Sequence, residues 1–412
     1  MSERRVVITG MGAVTPIGHT VSESFDALLA GRSGVRFMPE WAFMEDLQCR
    51  LGANVEDLDL KALYHRRVRR TMGRVALLAL RASDEAIAQA GLTEEHLRSG
   101  RVGLTYGSTS GSSSELEEFS KPLMINDSMR GLKSYAYLRI MAHTCAANLA
   151  SHYGIRGRVQ PTCSACTSGS QAFGHAFELI QSGVADAMIA GGAEEMHYTT
   201  AVTFDLLMAT TVTKNERPDE APRPFDAARD GLVVGEGAAT VVLEEREHAL
   251  RRGAPILAEV LSYACTCDGG HLTQPDPEGM GSVMRLALDQ AGLAPADVGY
   301  VNAHATGTLI GDQAEAQATL ATFERPVPIS SLKGHVGHTL GACGTLEAIW
   351  TVEMMRAGKL VGTRNLAEVH PACAGLGHLQ EPFREARVDV AMSNNFAFGG
   401  INTSIVLGAP ER

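Results

Sequence analysis

A chain of 412 residues can hold two or three domain-sized units, and 45% hydrophobic with 20% charged residues describes a folded globule rather than a disordered chain. The formal net charge of -11 excludes a general nucleic-acid binder, leaving local basic patches to recruit an acidic partner. No run approaches the roughly 18 apolar residues of a membrane span.

In chain order, Met1 to Arg5 leads into Val6-Val7-Ile8, too short for a secretory signal core and readable as a first buried strand. The eight cysteines are therefore expected as free thiols in a reducing cytoplasm. Lys61 to Arg70 is a basic run in an acidic chain, which composition alone explains equally well as a solvated helix face. Arg81 to Leu92 reads as a helix ending at Gly91, with a strand over Val102–Thr105. Gln160 to Ser170 is a small-residue turn containing Cys163 and Cys166. It enters a helix with Ala172, Phe173, Ala176, Phe177, Leu179 and Ile180 on one face and Gly183 as its stop. Gly281 to Leu293 then repeats the first helix and its Gln-Ala-Gly-Leu ending, again before a strand at Val298–Val301. An echo at half the chain length predicts a duplicated α/β unit with a mostly parallel sheet, halves 1–250 and 251–412 sharing one core.

A thiol at a helix entry is where the dipole and free N–H groups lower its pKa and stabilise an oxyanion. An arbitrary cysteine is more often a small core residue. Cys163 and Cys166 also permit a metal or redox pair, but Cys265 and Cys267 are one residue apart and make a poor second zinc pair. Downstream, His304 follows a short apolar strand in a loop with Thr306 and Thr308. Lys333 and His338 stand five apart before a Gly-rich helix entry, and Phe398 lies in a Gly-rich turn, Ser393 to Asn402. His143 and His335 read as ordinary surface or core histidines.

These strings occur in a fixed order: Ser-Ala-Cys166-Thr-Ser-Gly, Arg223-Pro-Phe-Asp-Ala-Ala-Arg-Asp230, Asn-Ala-His304-Ala-Thr-Gly-Thr, Lys333-Gly-His-Val-Gly-His338 and Asn-Phe-Ala-Phe398-Gly-Gly-Ile-Asn. Together they make a chain that resembles, nearly end to end, the elongating β-ketoacyl-acyl carrier protein synthases of the thiolase superfamily. The resemblance implies a thiolase-like layered αβαβα core and a decarboxylating condensation. Cys166 would carry the acyl group, and His304 and His338 would stabilise the enolate from malonyl-carrier protein. The N–H groups of Cys166 and Phe398 would form the oxyanion hole, with Phe398 also a gate. Lys333 would be paired with Glu347, and Glu347 and Asp312 would give structural support. Thr306 and Thr308 would hold the pantetheine arm. Ser110 would line the acyl pocket, and Arg66, Arg69 and Arg70 would dock the carrier on a helix. The resemblance implies no cofactor or metal, acyl carrier protein as partner, a homodimer or heterodimer, and no nucleic-acid or membrane partner. Ala305 and Leu309 replace the family's usual Gly and Pro, and Ser110 its common Ile; with the cysteine and helix-entry strings, this resembles a branch serving specialised polyene-type products. Two rivals are a non-catalytic subunit of a synthase heterodimer, which would lack the nucleophile, and a thiolase using Cys343 or Cys373 as base.

Overall fold

The computed structural model describes residues 4–410, and its largest sheet has eleven strands. The first five are β1 (Val6–Val14), β2 (Val102–Gly107), β3 (Val159–Thr162), β4 (Ala187–Glu194) and β5 (Gly237–Glu245). Then come β6 (Ala258–Cys267), β7 (Tyr300–Asn302), β8 (Pro328–Ser330), β9 (Gly377–His378), β10 (Val390–Ala397) and β11 (Ile401–Gly408). Their order is β9-β8-β7-β10-β11-β6-β1-β5-β4-β2-β3. Read outward from the seam where β1 pairs with β6, the two sides repeat one another: β1-β5-β4-β2-β3 and β6-β11-β10-β7-β8.

The mostly parallel sheet expected from the sequence is mixed. β4, β2 and β3 pair in parallel, as do β10, β7, β8 and β9, whereas β5 and β11 run antiparallel to both neighbours. Fully buried strands are apolar whichever way they run, so the pattern carries no direction. The turn from β10 to β11 is too short for a crossover, so those strands must be antiparallel.

Six of the helices set the layers and the surroundings of the site. α1 (Arg74–Ala90) covers β1, β5 and β4 on one outer face. α4 (Pro277–Ala291) covers β6 and β11 on the other, with α5 (Leu309–Phe323) beside it. α1 and α4 are the echoed helices, and each ends at a left-handed glycine, Gly91 and Gly292. Between the two halves of the sheet lie α2 (Ser168–Gln181) and α6 (Cys343–Ala357), which pack on each other and on strands from both sides. Phe173, Phe177, Ile349 and Trp350 fill this middle layer. The last helix, α3 (Tyr198–Leu206), lies near the surface. This is the layered αβαβα arrangement.

The two central helices approach closely where they begin. A Cβ on Gly344 would stand 2.7 Å from the Ser170 Cβ, and one on Gly169 would stand 2.7 Å from the Gly341 carbonyl oxygen. Larger residues there would push apart the turns that carry Cys166 and His338.

Candidate active site

Cys166 sits on a strained turn. Ala165 before it has φ +49, a left-handed conformation that costs an L-residue about 1–2 kcal/mol. Ser168 fastens the turn, its Oγ donating to the Ala165 carbonyl at 2.7 Å and accepting from the Ser164 N–H at 2.9 Å. α2 starts at Ser168, and Gly183 (φ +78) follows its end.

His338 reaches the thiol from the opposite half. Its Nε2 lies 2.9 Å from Cys166 Sγ. The main chain is clamped on both sides, the His338 N–H donating to Val233 O at 2.7 Å and the Gly235 N–H to His338 O at 2.8 Å. His304 stands edge-on to His338, with ring centroids 5.2 Å apart. Its loop is fixed by Glu315 of α5, which accepts the N–H groups of His304 at 2.8 Å and Ala305 at 2.6 Å.

Lys333 and Glu347 form a buried ion pair behind the histidines, and Asn395 donates to the second Glu347 oxygen at 2.7 Å. Burial opposes both charges, but Glu347 holds the lysine charged, above its ordinary value. Burial and then the Lys333 charge depress both imidazoles far below the usual histidine value. At neutral pH each ring is therefore neutral and can donate one hydrogen bond.

The thiol itself differs from the sequence expectation. Burial pushes Cys166 up to about 12, with Lys333 pulling the other way. The helix entry is present, but desolvation outweighs it, so the resting group is a thiol hydrogen-bonded to His338.

A cavity of ≈ 460 Å³ opens onto these groups, and Cys166, His304, His338, Thr306, Thr308 and Phe398 all line it. The Thr306 and Thr308 hydroxyls lie 3.1 Å apart. Asp312 braces their loop by accepting the Gly307 N–H at 3.0 Å and the Phe225 N–H at 2.7 Å. Arg229 of the Arg223–Asp230 string donates to the carbonyls of Thr308 and Leu309. Phe398 packs against Phe204, ring centroids 5.8 Å apart, ahead of Gly399 and Gly400 in left-handed conformations.

Other expected residues lie elsewhere. Ser110 is exposed and outside the cavity, although its neighbour Thr109 touches the Cys163 and Ala165 turn. The basic run is not one helix, because it divides between a four-residue helix, Leu60–Leu63, and a 3-10 turn, Val68–Arg70. Arg69 spends its Nε on the Tyr64 carbonyl at 2.8 Å, while Arg66 and Arg70 are exposed. Cys163 is exposed and all eight cysteines are free thiols. Cys343 lies under the nucleophile turn, its Sγ donating to the Cys166 carbonyl, and burial raises it well above the ordinary thiol value. Cys373 belongs to the separate core around α4 and α5. Neither lines the cavity, although Cys343 Sγ lies within 4.8 Å of a His304 ring nitrogen.

Two buried acids were missed from sequence. Glu315 is pushed up to about 8 by burial, its two backbone donors opposing. Glu194, pushed up to about 7 by burial, ties the Thr109 and Gly341 N–H groups together. The available signals were an acid one helical turn after Asp312 and an acid closing a Gly-rich apolar strand.

Cys166 Sγ and one ring nitrogen from each histidine lie within 4.8 Å of one another, a donor set of the kind that holds zinc. The charge of Lys333, felt at all three, opposes a second cation there.

Residues 3–249 match the family described as Beta-ketoacyl synthase, N-terminal domain, and residues 257–367 its C-terminal domain. The chain is 37% identical over 410 residues to 3-oxoacyl-[acyl-carrier-protein] synthase 1 of Haemophilus influenzae, covering 98% of each. A β-ketoacyl synthase crystal structure from Burkholderia phymatum is 50% identical, with TM-score 0.95 over 98% of this chain and 99% of that one. A type II polyketide ketosynthase solved with its acyl-carrier protein and bound to the hexaketide is 28% identical. Its TM-score is 0.91, covering 99% of this chain and 100% of that one.

Proposed function

We propose a division of labour for this site from one premise: the chain belongs to the β-ketoacyl synthase family, and is an acyltransferase that makes 3-oxoacyl chains by condensation. In the first step Cys166 Sγ attacks a carrier-bound acyl thioester. Its proton passes to the departing carrier thiol while His338 keeps its Nε2 hydrogen, leaving an acyl-Cys166 thioester.

Acylation removes the thiol's hydrogen bond, so His338 Nε2 becomes free to serve a second substrate. Malonyl-carrier protein then enters along Thr306 and Thr308 and places its thioester oxygen between His304 and His338. The C–C bond to its carboxylate breaks, CO2 leaves, and the electron pair forms an enolate stabilised by two neutral imidazole donors. The enolate carbon attacks the acyl-Cys166 carbonyl, whose oxygen is held by the N–H groups of Cys166 and Phe398. Collapse of this adduct breaks the C–S bond, and the Cys166 thiolate takes a proton from solvent.

The carrying observation is the 2.9 Å contact of His338 Nε2 with Cys166 Sγ beside His304, with both rings held neutral. The scheme uses only the chain's own residues and carrier-bound thioesters. Lys333, Glu347 and Asp312 act as positioning groups, and Arg66 and Arg70 steer an acidic carrier. Homodimerisation would cover Ser110 and bring it to the acyl chain; exposed Met124, Ile125, Met129 and Tyr137 follow it in sequence and support such a covered face. The two halves, 1–250 and 251–412, each supply part of the site. We place the enzyme in the cytoplasm; among the described residues no helix is long and apolar enough to cross a membrane.

The test incubates the protein with acyl-carrier and malonyl-carrier proteins and follows CO2 release and product mass. Cys166→Ala should abolish condensation, and an acyl adduct on another cysteine would sink the assignment. Cys166→Gln should keep decarboxylating malonyl-carrier protein; loss of that activity would count against His304 and His338.

A further inference from the structure

Glu194 closes β4 inside the protein, and its partners are two backbone N–H groups and a hydroxyl rather than a cation. A single oxygen, Oε2, accepts the Thr109 N–H at 2.9 Å and the Gly341 N–H at 3.1 Å. Burying a carboxyl without a countercharge is costly, so core filling does not account for it. The two N–H groups belong to the segments that meet at the thiol. Thr109 reaches the nucleophile turn twice, its Oγ1 donating to the Ala165 carbonyl and its own carbonyl accepting from Cys163 Sγ, each at 3.4 Å. Gly341 stands three residues after His338, in a 3-10 turn, Leu340–Ala342. It has no room to shift: a Cβ on Gly192 would lie 2.0 Å from its carbonyl oxygen, and one on Gly341 itself 2.8 Å from Glu194 Oε2.

Backbone strain marks the same two segments. Ala165 (φ +49) and Leu340 (φ +48) both hold left-handed conformations without being glycine. Such strain persists only where the surroundings over-determine the backbone. Each strained residue is tied into the Glu194 network, Ala165 through the Thr109 hydroxyl and Leu340 through the peptide it shares with the Gly341 N–H. Leu340 also packs in the cluster that contains Cys166.

We propose that Glu194 is a positioning residue that sets the register of the Cys166 turn against His338, and so governs acyl transfer to the thiol. The inference rests on the reaction proposed above. His338 keeps its own main-chain clamps at Val233 and Gly235, and His304 its anchor at Glu315, so the histidine pair does not depend on Glu194. Glu194 adds the tie from the turn after His338 to the segment that grips Cys166. The Ala165 carbonyl shares a peptide plane with the Cys166 N–H, so the same grip aims that oxyanion donor.

The test separates the two half-reactions. Acylation of Cys166 by acyl-carrier protein is followed by protein mass in a single turnover, for wild type, Glu194→Ala, Glu194→Gln and Thr109→Val. Decarboxylation of malonyl-carrier protein is followed in the Cys166→Gln background, with and without the same changes. Glu194→Ala should slow acylation about a hundredfold, as a misplacement of about 1 Å does, and leave decarboxylation within about threefold. Glu194→Gln should restore most of the acylation rate, because its amide oxygen can accept both N–H groups while its NH2 donates to Ser108. Thr109→Val keeps the N–H and removes only the hydroxyl link to Ala165, so it should slow acylation about fivefold; it decides the matter where Glu194→Ala does not fold. Equal losses in both half-reactions, a glutamine variant no faster than the alanine one, or unchanged acylation in Glu194→Ala or Thr109→Val overturns the assignment. Wild type that is not acylated, together with a Cys166→Gln variant that does not decarboxylate, would instead overturn the proposed reaction, and the role of Glu194 with it.

Discussion

Replacing Lys333 by Ala tests whether the buried ion pair organises the site. The substitution leaves Glu347 buried with Asn395 as its remaining partner. Removing one partner of a buried pair costs about 3–5 kcal/mol. The deficit should depend on pH in a definite sense. Burial raises the Glu347 carboxyl and Lys333 opposes that rise, so without the lysine the carboxyl rises further. A carboxyl with folded pKa above its unfolded value near ~4.3 gives up stability as pH climbs between the two, at about 1.4 kcal/mol per unit. From pH 5 to pH 8 the variant should therefore lose stability relative to wild type. Urea unfolding at pH 5, 6.5 and 8 measures this. The same variant should move the acid limb of malonyl-carrier decarboxylation to higher pH, since the Lys333 charge also depresses His304 and His338. A deficit below about 1 kcal/mol at pH 8, a deficit independent of pH, or an unmoved acid limb would refute the reasoning.

Three further outcomes follow from the geometry. Alkylation of Cys166 by iodoacetamide should climb about tenfold per pH unit from 7 to 9 without a plateau, because burial pushes the thiol up to about 12; a plateau near neutrality would show that the helix entry prevails. Glu315→Ala strands two buried N–H groups and should cost about 2–6 kcal/mol in denaturant unfolding, with decarboxylation falling as His304 loses its anchor. Ala165→Gly relieves the φ +49 turn and should raise stability by about 0.5–1 kcal/mol while lowering kcat, because the thiol is held less firmly; a variant both more stable and equally active would show that the strain has no part in catalysis.

Much of the architecture was legible because local signals coincide with tertiary ones. The helices ending at Gly91 and Gly292 carry their own stop signals, and the strands after them are short, mainly apolar and buried at every residue. Cys166, His304 and His338 were legible as an ordered company of motifs, and the fold brings them to one cavity. Strand direction was not legible, since burial on both faces erases it. Nor was the raised Cys166 thiol, because its desolvation depends on Phe204, Leu340 and Phe398, which pack in its cluster from distant parts of the chain. Ser110 shows the complementary limit: its neighbour reaches the nucleophile turn while its own side chain faces out. Glu315 fell between, with a readable helix position but a partner known only once the His304 loop was folded.

The seam of the sheet also shapes how this chain is made. β1 is buried at every residue, and both its neighbours come far later: Val6 lies opposite Glu245 in β5 and Val260 in β6. At about 5–20 residues per second of synthesis, the strand waits on the order of 10–50 s before its ladder can close. For that interval a largely apolar strand is available to any unpaired edge, including that of another nascent copy. Yield of soluble protein should therefore respond to translation speed and to the supply of chaperones that shield short apolar segments. Swapping surface residues elsewhere would do little for it.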